Sequence, residues 1–172
     1  MLAKHTQGKK LLLVIDMQNG WRHKTATEAA MLATVELCRR FDGDIVHCCF
    51  RNDPDSLFYS QLHWKRFNDA ADTDQITEIM PLNLPVYWRS TYSCLTPELV
   101  PLVQKYSAVY IAGVFTDISV ASTAMNLFDM NIPVYVVRDC VATLHGEDVH
   151  EVSLKSIEMA IGARNVITAD SI

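Results

Sequence analysis

Three residues of the 172-residue chain have the types that acid, base and nucleophilic chemistry need, and each follows an apolar run. Asp16 opens the phrase Asp16-Met17-Gln18-Asn19-Gly20-Trp21, Arg89 follows Val86-Tyr87-Trp88, and Ser119 ends Gly113-Val114-Phe115-Thr116-Asp117-Ile118-Ser119. A carboxyl group can give or take a proton, a guanidinium can hold an anion, and a hydroxyl at a helix start can attack a substrate or orient water. Taken singly, each has a plainer use. An Asp after a strand caps turns, an Arg at a strand end pairs at the surface, and a Ser in a first helical turn satisfies backbone donors. They gain chemical meaning only if the chain brings them together.

The elements that must do so can be read from the apolar pattern. Residues 10–15, 44–50, 84–88, 108–112, 134–137 and 166–168 are short, nearly continuous apolar runs, as expected of strands covered on both faces. Helical periods alternate with them. Thr27 or Thr25 can cap a helix reaching Phe41, which Asp42-Gly43 ends, and Thr96-Pro97-Glu98 sets a capping hydroxyl before a first-turn proline. Val120, Ala124, Leu127 and Met130 recur at helical spacing over residues 116–130, and a last helix over 148–161 stops at Gly162. Strands alternating with helices predict an α/β fold in three layers: a doubly wound sheet of about six mainly parallel strands, formed by a single domain spanning 1–172. Residues 52–71, rich in Asp, Asn, Tyr, His and Trp, read as a long loop or lid with a short helix. In such sheets ligands bind beyond the carboxyl ends of the strands, where the strand order reverses. Asp16, Arg89 and Ser119 all fall on that edge.

Composition narrows the partners. With 49% hydrophobic residues, a chain of this length buries about 70% of its unfolded surface and needs no metal or disulfide staple. Fifteen basic against 20 acidic residues, with no basic run, give none of the charge that a phosphate backbone demands, so nucleic acid is excluded as a partner. The first apolar stretch stops at Asp16, far short of a membrane span or signal core, which predicts no membrane partner and a cytoplasmic location. Five cysteines, an odd number without CxxC spacing, read as reduced core residues. Cys94, close after Arg89, has a displaced nucleophile as its outlying alternative.

Together the phrases Leu12-Leu13-Val14-Ile15-Asp16-Met17-Gln18-Asn19, Arg89-Ser90-Thr91-Tyr92-Ser93 and Gly113 to Ala124 resemble the three signatures of the isochorismatase-like family, also called cysteine hydrolases. The likeness runs on through Val136 to Thr143 and the His150 region. It implies a catalytic set of an Asp, a Lys and a Cys after the first, third and fourth strands. Asp16 matches, whereas Arg89 stands at the Lys position and Ser119 at the Cys position. The resemblance also implies a cis peptide from Val114 to Phe115, a substrate or oxyanion pocket at Gln18, Trp21, Val114, Phe115 and Ile118, and assembly as a homo-oligomer. Phe58, Tyr59, Trp64 and Phe67 are an exposed aromatic supply for a subunit contact or a lid. Zinc-binding members carry an Asp-x-His pair after the second strand. Asn52-Asp53-Pro54-Asp55 has no such histidine, and the first turn has no GxGxxG, so neither a metal nor another cofactor is expected.

The two substitutions bear on mechanism. A thiol at a helix start beside a cation ionises readily, but a serine hydroxyl needs a base, and a guanidinium stays protonated. Amide or carbamoyl cleavage through a Ser119 acyl intermediate is therefore disfavoured. A vinyl-ether route fits the residues better: Asp16 protonates the substrate, water adds, Ser119 orients, and Arg89 holds the carboxylate of a small anionic metabolite. The competing class is a non-catalytic member that keeps a binding pocket or an assembly surface. If the helix start is still primed for anions, Ser119→Cys should create a thiol that labels faster at neutral pH than the five native cysteines, read by mass spectrometry of the labelled peptide. Labelling no faster than that of an unperturbed thiol would mark Ser119 as a mere helix-start residue.

Overall fold

The computed structural model describes residues 8–172. Six strands, β1 (Lys10–Ile15), β2 (Asp44–Phe50), β3 (Val86–Arg89), β4 (Ala108–Val114), β5 (Val134–Ala142) and β6 (Val166–Ile167), form one sheet in the order β3-β2-β1-β4-β5-β6. Every neighbouring pair is parallel. The order reverses between β1 and β4, so the predicted doubly wound sheet has its switch point there.

The pleat of β1 shows how the layers are held. Leu11, Leu13 and Ile15 enter one core with Val120, Leu127, Leu154 and Ile157, whereas Leu12 and Val14 enter the other with Met31, Val35 and Ile79. The first core lies under α5 (Ala121–Asp129) and α6 (Glu147–Ile161), and the second under α1 (Glu28–Arg40). No helix of the described residues is long and apolar enough to cross a membrane.

Local differences from the pattern have local causes. Thr27 does not cap α1: its hydroxyl donates to the Trp21 carbonyl at 2.7 Å and accepts from the His23 amide, tying the preceding turn instead. The helix expected from Thr96 closes only over α4 (Val100–Val103), although Thr96 Oγ1 still accepts from Leu99 N. β5 extends five residues beyond the apolar run because a register shift against β4 lets the exposed Arg138 and Asp139 pass before Cys140 to Ala142 rejoin the core. The helix over 116–130 is divided, with a π-helical turn at Thr116–Val120 preceding α5. Short helices α2 (Leu57–Ser60) and α3 (Ala70–Thr73) form in and just after the lid.

At Gly113 the backbone of β4 passes close against that of β1. The glycine's φ is +112°, and a Cβ there would lie 2.0 Å from the Ile15 carbonyl oxygen on the neighbouring strand. That contact is with backbone and cannot swing away. Gly113→Ala should therefore cost more than about 3 kcal/mol, measured as a fall in the urea midpoint, by strain and separation of β1 from β4. An unchanged midpoint would show that the two strands can part freely.

Candidate active site

Asp16 leaves β1 with φ +56°, a left-handed turn that Asp tolerates better than most residues, while its amide still donates to the Cys48 carbonyl at 2.9 Å. The next residues are pinned from below. Met17 N donates to His47 Nε2 at 3.1 Å, so the other ring nitrogen carries the proton toward Gln75 Oε1, and burial pushes the His47 pKa down to about 4. Gln18 then crosses to the lid, its amide nitrogen donating to the Phe50 and Thr73 carbonyls and its oxygen accepting from Phe50 N.

The three expected residues meet at the carboxyl edge. Arg89, the last residue of β3, sends Nη2 to both Asp16 Oδ2 and Ser119 Oγ, the latter at 3.2 Å, and Nη1 to the Thr91 carbonyl. Both members of the ion pair are enclosed, with side-chain exposures of 2% for Arg89 and 4% for Asp16. Phe50 lies under the guanidinium, 5.5 Å from its ring centroid. Asp16 Oδ1 and Arg89 Nε have no hydrogen-bond partner among the described residues.

Burial dominates the electrostatics. It raises the Asp16 pKa from the ordinary 3.8 to about 7 against the pull of Arg89, and neighbouring Cys94 adds to the rise. Arg89 is held protonated: burial works against its charge, but Asp16 and Cys94 outweigh it. Cys94 is buried behind the pair, outside the cavity lining, where its amide donates to Thr123 Oγ1 at 3.0 Å. Burial opposes its ionisation, yet contacts with Cys48, Arg89 and Thr123 draw its thiol down to about 6.

Above the pair opens a cavity of about 240 Å³. Asp16, Arg89 and Ser119 form the floor, Trp21, Phe50, Phe115 and Ile118 the inner wall, and Phe58, Leu62, Trp64 and Tyr92 the lid side. The aromatics brace one another: Trp21 stacks on Phe67 at 3.8 Å and on Trp64 at 5.6 Å, and meets Phe115 edge-on at 4.8 Å. The Val114–Phe115 peptide is cis.

Of the five pocket residues expected, Trp21, Phe115 and Ile118 line the cavity, whereas Gln18 and Val114 do not. Both are fully enclosed, Gln18 because its amide is saturated by backbone and Val114 because it packs in the α1-side core. Three of the four aromatics expected to be exposed turn inward, with Phe67 fully buried and Phe58 and Trp64 on the cavity. One residue not anticipated joins them: His145, just past β5, lines the mouth and contacts Asp117 at 2.6 Å. Its signal lay in Thr143 and His145, polar residues that follow the apolar run Cys140-Val141-Ala142. His63, Asp53 and Asp55 form no ligand cluster among the described residues; Glu147, His150 and Glu151 on α6 do come together, away from that cavity.

A doubly wound sheet with an enclosed acid, cation and hydroxyl at its switch point defines the α/β class in which small molecules bind at the strand ends. Residues 10–171 match the isochorismatase domain, and the chain belongs to the isochorismatase family of hydrolases. Its fold is similar to that of an isochorismatase-like hydrolase from Alkaliphilus metalliredigens (22% identity, 95% of this chain and 97% of that one, TM-score 0.79). It is also similar to a nicotinamidase from Bacillus subtilis (20% identity, 93% and 99%, TM-score 0.79). An N-carbamoylsarcosine amidase from Thermoplasma acidophilum shares 23% identity over 95% of this chain and 98% of that one, with a TM-score of 0.74. Among curated proteins, none matches the chain.

The raised Asp16 pKa makes stability depend on pH. Between about pH 4 and about pH 7 the folded carboxyl keeps a proton that the unfolded one has lost, so stability falls as pH rises through this window. The urea midpoint of the parent protein should decline across it relative to Asp16→Asn, which cannot titrate. A constant difference between the two would contradict a protonated, buried Asp16.

Proposed function

We propose that the protein hydrolyses a small, flat metabolite at a vinyl ether or at a C–N amide or carbamoyl bond, with Asp16 as its acid and base. The carrying observation is a carboxyl at the cavity floor whose pKa is raised to about 7 and whose Oδ1 has no hydrogen-bond partner among the described residues. A group poised near the working pH can give up a proton and later recover it. Arg89, permanently charged, stabilises the carboxylate left behind, and Ser119 orients the reacting group beside it.

The cavity argues for size and shape. Its volume of about 240 Å³ and aromatic walls suit one planar unsaturated group with small substituents. Arg89 favours an anionic substrate through its charge alone, because Nη1 and Nη2 are already engaged and no free fork faces the cavity. The same proposal takes the chain as one catalytic domain that assembles as an oligomer. Since Phe58 and Trp64 turn toward their own cavity, that assembly has to use another surface.

The test is a panel of vinyl ethers, amides and carbamoyl compounds, each as an acid and as a neutral analogue. We expect turnover of at least one member and a loss of roughly 10²-fold or more in kcat for Asp16→Asn. Turnover that survives Asp16→Asn unchanged would overturn the assignment of the acid.

A further inference from the structure

Hydrolysis adds the two parts of water across a bond, so one proton must be delivered and another removed. Asp16 answers the first need in the reading above. Asp16 regains its proton only at the end of the cycle, so while it serves as the acid the floor offers no other group for the second: Arg89 is fixed in its protonated form, and Ser119 Oγ accepts from it. The mouth of the same cavity supplies one.

His145 lies just beyond the carboxyl end of β5, and Asp117 lies on the turn after the adjacent strand β4. His145 Nδ1 and Asp117 Oδ2 are 2.6 Å apart. An ionised carboxylate only accepts, so Nδ1 carries the hydrogen, and in the neutral ring Nε2 is the nitrogen with the lone pair. Two further contacts hold the residue. The His145 amide donates to Thr143 Oγ1 at 3.2 Å, and the ring lies 5.6 Å from that of Phe115. The side chain is 49% exposed while Asp117 is 14% exposed, so the orienting carboxylate is covered and the imidazole meets both solvent and cavity.

We propose that His145, oriented by Asp117, is the base that removes a proton from the hydrolytic water as it enters the cavity. This rests on the hydrolase reading and assigns its missing proton transfer. The water oxygen uses an electron pair to bond the electrophilic carbon, and its O–H bond breaks with the proton passing to Nε2. Asp16 gives its proton to the departing nitrogen of an amide or carbamoyl group as the C–N bond breaks, or to the outer carbon of a vinyl ether, whose hydrated product, a hemiketal, then passes its hydroxyl proton to the ether oxygen as the C–O bond breaks. The imidazolium is stabilised by the Asp117 carboxylate, and its proton then returns through solvent to the Asp16 carboxylate, leaving both groups as they began.

4-Nitrophenyl acetate isolates this step. Its flat ring suits the aromatic walls, and nitrophenolate leaves without needing a proton, so its hydrolysis reads the base rather than the acid. The parent should hydrolyse it above the buffer rate. His145→Gln should lower kcat by roughly 10²-fold with little change in KM, Asp117→Asn should fall between the two, and added imidazole should raise the His145→Ala rate above that which the same imidazole gives in enzyme-free buffer, with saturation in 4-nitrophenyl acetate. A histidine that merely packs on Phe115 would give no such rescue. A parent with no rate above buffer, or His145→Gln at the parent's rate, overturns the proposal. Because Asp16 is tested on bonds that require a proton and His145 on an ester that does not, either assignment can fail while the other stands.

Discussion

The Asp16–Arg89 pair joins the carboxyl end of β1 to that of β3 across the intervening β2, and it does so almost wholly out of water. Removing two charges from water is unfavourable by several kcal/mol per ion, so below about pH 7 Asp16 keeps its proton beside the charged guanidinium, and an ionised pair would offset that cost only where geometry and further hydrogen bonds are good. Here those bonds are few. Arg89 reaches Thr91 and Ser119, but its Nε and Asp16 Oδ1 stay unpartnered, so the pair is held by the packing around it more than by its own bonds. A site kept for stability alone would be better served by apolar side chains. The cost is consistent with a chemical use.

Much of the surrounding structure follows from holding that pair in place. The His47–Met17 and Gln18–Phe50 bonds fix the backbone that leads away from Asp16, and Phe50 lies beneath the guanidinium. Gly113 lets β4 approach β1 closely enough for the turn bearing Ser119 to close over them. Dry walls of Trp21, Phe115 and Trp64 keep the local dielectric low, and the same burial raises the Asp16 pKa. Cys94 strengthens the effect from behind, because negative charge on its thiol disfavours a second negative charge on Asp16.

The fold was legible because strands covered on both faces leave unbroken apolar runs, and the placement of Asp16, Arg89 and Ser119 followed from their positions after three of those runs. What the pattern concealed lies where polar residues interrupt it. Arg138 and Asp139 made β5 look finished at Val137, although a bulge carries it to Ala142, and this extension sets His145 beside Asp117. Gln18 was misplaced for a related reason: a polar residue next to a catalytic position suggests a ligand contact, but its amide is matched by three backbone groups. Phe67 looked exposed within a polar loop, yet its stacking on Trp21 buries it. Such partnerships join residues 28 to 55 positions apart, and no local periodicity reports them.

The account turns on whether Asp16 is a neutral acid in the resting protein. Infrared difference spectroscopy between the parent and Asp16→Asn reads this directly, since a protonated carboxyl has a C=O stretch that a carboxylate lacks. A protonated Asp16 band that persists from acid and disappears only near pH 7 is the predicted result. A band already lost at the ordinary carboxylate pKa would show an ionised Asp16 at neutral pH, and the acid at the centre of the account would be gone.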